Sequence, residues 1–198
     1  MLLVHDVETS GLPLFTEPSD HPNQPFLVQM GLLVLDDDMR EVGSLSLLAQ
    51  PPHGRAIEPE AQAAHGVDTE TARRFGLPAH VLVEVYCSLR AEAKMLIGHN
   101  ISFDQRIMRI EMMRLGRVRE QIEAIEGASP TFCTMRTATP LCKMEPTGRM
   151  KAAGRAGQFK SPKLEEAVRI LLGREMEGAH DALADCRAAA DLYRFLNA

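Results

Sequence analysis

None of the four cysteines, Cys87, Cys133, Cys142 and Cys186, belongs to a C-x-x-C pair, and they lie far apart in the chain. That spacing fits neither a zinc site nor a disulfide framework, so the thiols read as reduced. Long hydrophobic runs are also missing. None approaches the ~20 apolar residues that span a bilayer, which excludes a membrane-spanning helix. The N-terminus passes straight into Leu2-Leu3-Val4 with no basic segment and no cleavage signal, so the expected location is cytoplasmic. Positive charge is in deficit: 22 Lys and Arg against 27 Asp and Glu leave a formal net charge of −5. A chain of that sign does not coat nucleic acid non-specifically, which leaves room for a local basic patch that grips a strand end. No internal repeat is present.

What remains is ordinary for a globular protein: 198 residues, 45% hydrophobic and 25% charged. The length suits one domain, residues 1–198. A chain of this size buries roughly 70% of its unfolded surface and needs no structural metal to fold.

Leu2 to Val7 reads as a short strand. The stretch Ser10 to Pro25, with four prolines, reads as a long loop of the kind that often carries function. Phe26 to Leu35 is an apolar run of strand length, and Glu41 to Ala49 returns as a hairpin partner. Between them Asp36-Asp37-Asp38 reads as a solvated turn, since no cation-ligand spacing follows. Helices are expected over Glu58 to Ala64, over Pro78 to Lys94, and from Ser102 or Asp104 to about Leu115, with a further turn over Gln121 to Glu126. Met95 to Gly98 is a brief apolar strand. Thr131 to Met135 is expected as a final strand leading into a helix over Arg136 to Cys142. Pro162 opens a helix over Lys163 to Leu172 with Gly173 as its cap, and Asp181 to Leu196 is the last helix. Strands first, then alternation, then helices indicate an α/β or α+β sheet with helices on its faces. The stretch Lys143 to Lys163 stands apart, with six basic residues against the single acid Glu145.

Asp6 and Glu8 sit at the end of the first strand, at i and i+2, and so face the same side. Two carboxylates so placed repel unless a cation lies between them; at a strand end they can also be a solvated edge. Asp104 falls in the first turn of a helix, where the helix dipole favours an acid in any case. Asp181 is a natural N-cap, Asp185 lies one turn further on, and His180 precedes the helix on the loop side.

Taken in order, these segments resemble the DEDDh, or DnaQ-like, family of 3′→5′ exonucleases, which includes the proofreading epsilon subunit of bacterial DNA polymerase III. Asp6-Val7-Glu8-Thr9-Ser10-Gly11-Leu12 looks like the first motif of that family. His99-Asn100 followed by Phe103-Asp104 looks like the second, H-N-x-x-F-D. His180 followed five residues later by Asp185 looks like the third, H-x-x-x-x-D. Ala64-His65-Gly66-Val67 is similar to the I-H-G-I segment between the first two. A sister group carries a tyrosine four residues before the last aspartate, where this chain has Asp181, so the histidine version is the better match.

The resemblance implies a ribonuclease-H-like fold, a central mixed sheet of about five strands flanked by helices. It implies that Asp6, Glu8 and Asp185 bind a first metal ion, with Asp6 bridging to a second on which Asp104 acts largely through water. Four carboxylates balance two divalent cations, and oxygen-only ligands point to Mg²⁺, with Mn²⁺ able to substitute. Such a pair stabilises both the attacking and the leaving oxygen of an in-line displacement. His180 becomes the general base, since an ordinary imidazole titrates near ~6.5. Thr9, His65, His99 and Asn100 match positions that contact the terminal nucleotide. The plain alternative for His65 and His99 is a satisfied histidine or a helix cap. Phe15 and Phe26 are candidates for base stacking or for the core, with the core favoured for Phe26. Arg149, Lys151 and Arg155 are the candidate phosphate contacts of a flexible substrate-facing loop, the plain alternative being a solvated loop that touches nothing.

His5 replaces a usual apolar residue and is expected to point away from Asp6; Ser10 replaces a common threonine. The chain ends at Ala198 just after its last helix, so permanent attachment to a replicative polymerase is not expected and a free-standing nuclease is. The expected substrate is the 3′ end of single-stranded DNA. An RNA-trimming exonuclease, or an inactive binding module of the same fold, is the alternative.

Overall fold

The computed structural model describes residues 1–198. Five strands form one sheet: β1 (Leu2–Thr9), β2 (Leu27–Leu35), β3 (Glu41–Leu48), β4 (Met95–Gly98) and β5 (Thr131–Cys133). Their order across the sheet is β3-β2-β1-β4-β5. The first three run antiparallel, whereas β4 is parallel to β1 and β5 parallel to β4. The hairpin turn is the acidic triplet, where the Asp36 carboxylate accepts from the backbone N–H groups of Asp38 and Arg40 at 2.9 and 2.8 Å.

Nine helical segments complete the chain: α1 (Pro59–His65), α2 (Thr69–Phe75), α3 (Ala79–Glu92), α4 (Ser102–Arg114), α5 (Arg119–Glu126), α6 (Thr134–Cys142), α7 (Gly148–Ala152), α8 (Leu164–Ala167) and α9 (Ala182–Leu196). A π-helical extension, Val168–Leu172, prolongs α8 and ends at Gly173, whose φ of 67° gives the left-handed cap expected there.

Strand alternation sorts β1 between two cores. Leu3 and Val7 join Leu82, Tyr86, Ile107 and Met108 on the side of α3 and α4. Val4 joins Leu33, Ile97, Cys186, Ala189 and Tyr193 on the side of α9. Asp6 and Glu8 continue the Val4 row, so the pleat aims both carboxylates at the N-terminus of α9. His5 points the other way, as expected. It is fully buried beside Tyr86 and pairs through Nδ1 with the Gly31 carbonyl at 3.2 Å. Its burial lowers its pKa to about 4, so it stays neutral.

Several expectations need correction. Thr131 to Met135 is not all strand: pairing stops at Cys133 and α6 begins at Thr134. The helix α2 was not anticipated, although Asp68 caps it by accepting from Thr71 N at 2.7 Å. Within the basic stretch, Thr147 caps the short helix α7 by accepting from Met150 N at 3.2 Å. The loop Ser10 to Pro25 is a loop, held by buried Gln24, whose amide accepts from Leu14 N and donates to the Leu14 and Pro18 carbonyls at 3.0, 3.2 and 2.9 Å. Phe26 lies in the core, 1% exposed, while Phe15 is 65% exposed. No helix is long and apolar enough to cross a membrane.

Candidate active site

The carboxylates arrive from three elements. Asp6 and Glu8 come from the end of β1. Asp104 comes from the first turn of α4, directly beyond β4, which lies beside β1. Asp104 is nearly fully buried, and its Oδ1 accepts from Val7 N at 3.0 Å, which fixes it against the β1 carboxylates. Asp185 comes from the first turn of α9, where its Oδ1 accepts from His180 N at 3.2 Å. All four, with His180, line one cavity of about 590 Å³. Ligand atoms of Glu8, His180 and Asp185 lie within 4.8 Å of one another. His180 is exposed and adopts a left-handed backbone with φ 68°, a conformation uncommon outside glycine that turns the chain sharply ahead of α9. The resemblance to the exonuclease motifs implied this set of five, and the fold brings their side chains to one cavity.

The start of α9 is set by contacts that sequence reading did not find. Asp181 caps the helix by accepting from Ala184 N at 3.0 Å, and its other oxygen accepts from Gln29 Nε2 at 2.9 Å. Gln29 Oε1 in turn accepts from Ala182 N at 3.2 Å. One glutamine of β2 thus holds two groups at the helix end that carries His180 and Asp185. Gly31, opposite Asp6 in the register, lets that end come close, since a Cβ there would strike the Ala182 carbonyl. No local signal marks Gln29 or Gly31, because their partners lie about 150 residues away.

The electrostatics are those of a site short of positive charge. Burial first, then the charges of Asp104, Asp185 and Glu8, push the Asp6 carboxyl well above the ordinary carboxylate range. Asp104 is raised well above it too, chiefly by burial and against the hydrogen bond from Val7. Burial, with Asp185 and Asp181 nearby, raises Glu8 to about 8. Asp185 rises to about 6 by burial, opposed by its bond from His180 N. Four carboxylates that resist ionising together, all oxygen donors, fit a divalent cation, whose charge would release the protons they otherwise hold.

The remaining predicted residues divide. Asn100 lines the same cavity and has a left-handed φ of 64°. His99 also lines it, but both of its ring nitrogens are engaged: Nε2 donates to the Pro162 carbonyl and Nδ1 pairs with the Thr134 hydroxyl, each at 3.0 Å. Burial lowers its pKa, so it acts here as a neutral clamp between β4, α6 and the segment before α8. Thr9 and His65 lie in an adjoining cavity of about 640 Å³ that shares Glu8, Leu12 and Phe103 with the first. His65 Nε2 donates to the Thr9 carbonyl at 3.3 Å, and the Thr9 hydroxyl donates to the Gly11 carbonyl at 2.8 Å. Arg149, Lys151 and Arg155 are exposed and line neither cavity. Lys163, at the end of the basic stretch, does line the first.

A sequence model of the exonuclease family typified by RNase T matches residues 3–193. The chain belongs to the exonuclease family. No curated protein matches it by sequence. Among solved structures, this exonuclease-family chain is similar to exonuclease I of E. coli in complex with a dT13 oligonucleotide, at TM-score 0.75 and 19% identity over 99% of this chain and 40% of that one. A zinc-bound form of the E. coli exonuclease I–ssDNA complex gives TM-score 0.74, again at 19% identity and with 99% and 40% covered. The same figures hold for a moderately thermophilic exonuclease I from Methylocaldum szegediense. At that identity the likeness is one of fold, the mixed sheet with flanking helices. The chain spans about 40% of the length of these relatives.

Proposed function

We propose that this chain acts in the cytoplasm as a single-domain, metal-dependent 3′→5′ exonuclease that removes nucleoside 5′-monophosphates from single-stranded DNA. One observation carries the reading: Asp6, Glu8, Asp104, Asp185 and His180 converge on a single open cavity. DNA is preferred over RNA because exonuclease I, whose fold this chain resembles, is described with bound oligodeoxynucleotides.

Asp6, Glu8 and Asp185 would hold one divalent cation, and Asp6 with Asp104 a second, Mg²⁺ being the expected ion and Mn²⁺ a substitute. When bound, such ions supply Lewis acidity and charge neutralisation at the scissile phosphate. The chain's own part is orientation and proton transfer. His180, exposed beside Asp185, takes a proton from the attacking water. The water oxygen bonds to phosphorus, the bond from phosphorus to the 3′ oxygen of the preceding nucleotide breaks, and that oxygen leaves as a hydroxyl after gaining a proton. The cavity that holds Thr9 and His65 would take the terminal nucleoside, with Glu8, Leu12 and Phe103 on the wall it shares with the carboxylate cavity. Lys163 at the cavity wall, and Arg149, Lys151 and Arg155 beyond it, would meet phosphates further along the strand.

The test is degradation of a 5′-labelled single-stranded DNA and of its RNA counterpart, with Mg²⁺, with Mn²⁺ and with chelator, beside an Asp6→Ala control. A metal-dependent ladder that shortens from the 3′ end and vanishes in the control is the expected result. Faster loss of the RNA would move the substrate to RNA. Failure of the folded protein to cleave either polymer with any metal would leave a binding module.

A further inference from the structure

A third cavity, about 450 Å³ and open, lies on the other side of the segment that ends at Lys163. Arg136 and Thr139 of α6 form one wall, and Gln158, Phe159 and Ser161 form the other. The Phe159 side chain is 46% exposed, an aromatic with no core to fill. Arg136 is exposed and holds no carboxylate, and Lys143, Arg149, Lys151 and Arg155 along the same segment also stand without an ion-pair partner. Elsewhere on the surface Arg109, Arg119 and Arg187 each hold a glutamate. Arg136 is the one cation that lines this groove, and it is free to meet an anion there.

The groove also lies close to the catalytic cavity, across the His99 clamp. Thr134 and Pro162 clamp His99, which lines that cavity, and their neighbours Met135 and Ser161 line the groove. Ser161 and the cavity residue Lys163 are two positions apart, a span of at most roughly 7 Å. A strand that left the carboxylates past Lys163 would come next to Phe159 and Arg136.

We propose that this groove is a subsite for an upstream nucleotide of the strand being degraded, its base stacked on Phe159 and its phosphate paired with Arg136. The inference rests on the exonuclease reading above. Stacking on one aromatic ring tolerates every base, as a non-specific exonuclease requires. A planar guanidinium suits a phosphate.

The chain contains no tryptophan, so Phe159→Trp places a single indole in the groove. Titrated with dT12 in chelator, which holds back hydrolysis, its emission is expected to be quenched to saturation, and far less by the dinucleotide dT2. By anisotropy of labelled dT12, Phe159→Ala is expected to weaken binding roughly tenfold or more, Phe159→Tyr to retain it, and Arg136→Gln to lower the slope of log affinity against log salt by about 0.7. Unchanged dT12 affinity in both Phe159→Ala and Arg136→Gln would overturn the subsite. So would equal quenching by a polyglutamate peptide, which would make the groove an acidic-protein site. Binding through Phe159 without Mg²⁺-dependent cleavage would sink the exonuclease reading and leave the groove standing. Cleavage with unaltered affinity would do the reverse.

Discussion

Glu8 sits where a carboxylate is hard to ionise, partly buried and facing Asp185 and Asp181. Its pKa of about 8, and that of about 6 for Asp185, lie above their unfolded values of 4.5 and 3.8. The folded chain therefore binds protons that the unfolded chain has lost. Their stabilising contribution is whole below about pH 4 and fades as pH rises through 6 and then 8. In chelator the melting temperature is expected to fall from pH 5 to pH 9. Mg²⁺ takes over the protons' role, so the increase in melting temperature that it produces should grow over the same range. An increase that stays constant with pH would mean that these carboxylates do not hold the ion. His180 plays a different part. Its replacement, His180→Ala, is expected to lower kcat by at least ~10²-fold with KM nearly unchanged, measured by steady-state hydrolysis of an oligonucleotide. Parallel losses in kcat and affinity would assign His180 to the fold.

Among the elements, α9 decides the site. It brings His180 and Asp185 to β1 because Gln29 holds its first turn and Gly31 leaves room for it. Gln29→Leu leaves the Ala182 N–H without its partner and frees the Asp181 cap, at a cost of about 1–3 kcal/mol. Small displacements of catalytic groups are expensive, so kcat is expected to drop roughly tenfold or more while the melted fraction at assay temperature stays negligible. Thermal melts and kinetics on one preparation would check both, and unchanged kcat would deny Gln29 a positioning role.

The same element shows what a sequence can reveal. His180, Asp181 and Asp185 are neighbours in the chain, so the N-cap at Asp181 was legible from local sequence, and the resemblance to the exonuclease motif singled out His180 and Asp185. Gln29 and Gly31 were not legible, because nothing local marks a residue whose partner arrives from the other end of the chain. The end of β5 failed for a related reason. Thr131-Phe132-Cys133-Thr134 has strand character throughout, but the Thr134 side chain is drawn into the clamp with His99, and α6 starts there. The helix α2 was legible and missed, since Asp68 is an ordinary N-cap. The sheet itself, with its order of strands and helices, followed from apolar runs long enough to read.

Across the whole molecule, charge is sorted rather than balanced. The four carboxylates meet in one cavity, and the segment from Lys143 to Lys163, whose Lys163 lines that cavity, carries Lys143, Arg149, Lys151 and Arg155 without an ion-pair partner. Replacing Arg149, Lys151 and Arg155 with alanine is expected to lower the salt slope of single-strand binding by about 2, near 0.7 for each phosphate no longer neutralised. A slope equal to that of the unaltered protein would show that these side chains face only solvent.

The most direct measurement is mass analysis of the product released from dT12 in ¹⁸O-labelled water with Mg²⁺. Attack of water at the terminal phosphodiester predicts thymidine 5′-monophosphate carrying one ¹⁸O, formed only with metal and absent with Asp185→Asn. A nucleoside 3′-phosphate, an unlabelled monophosphate, or equal release by Asp185→Asn would contradict hydrolysis at this cluster of carboxylates.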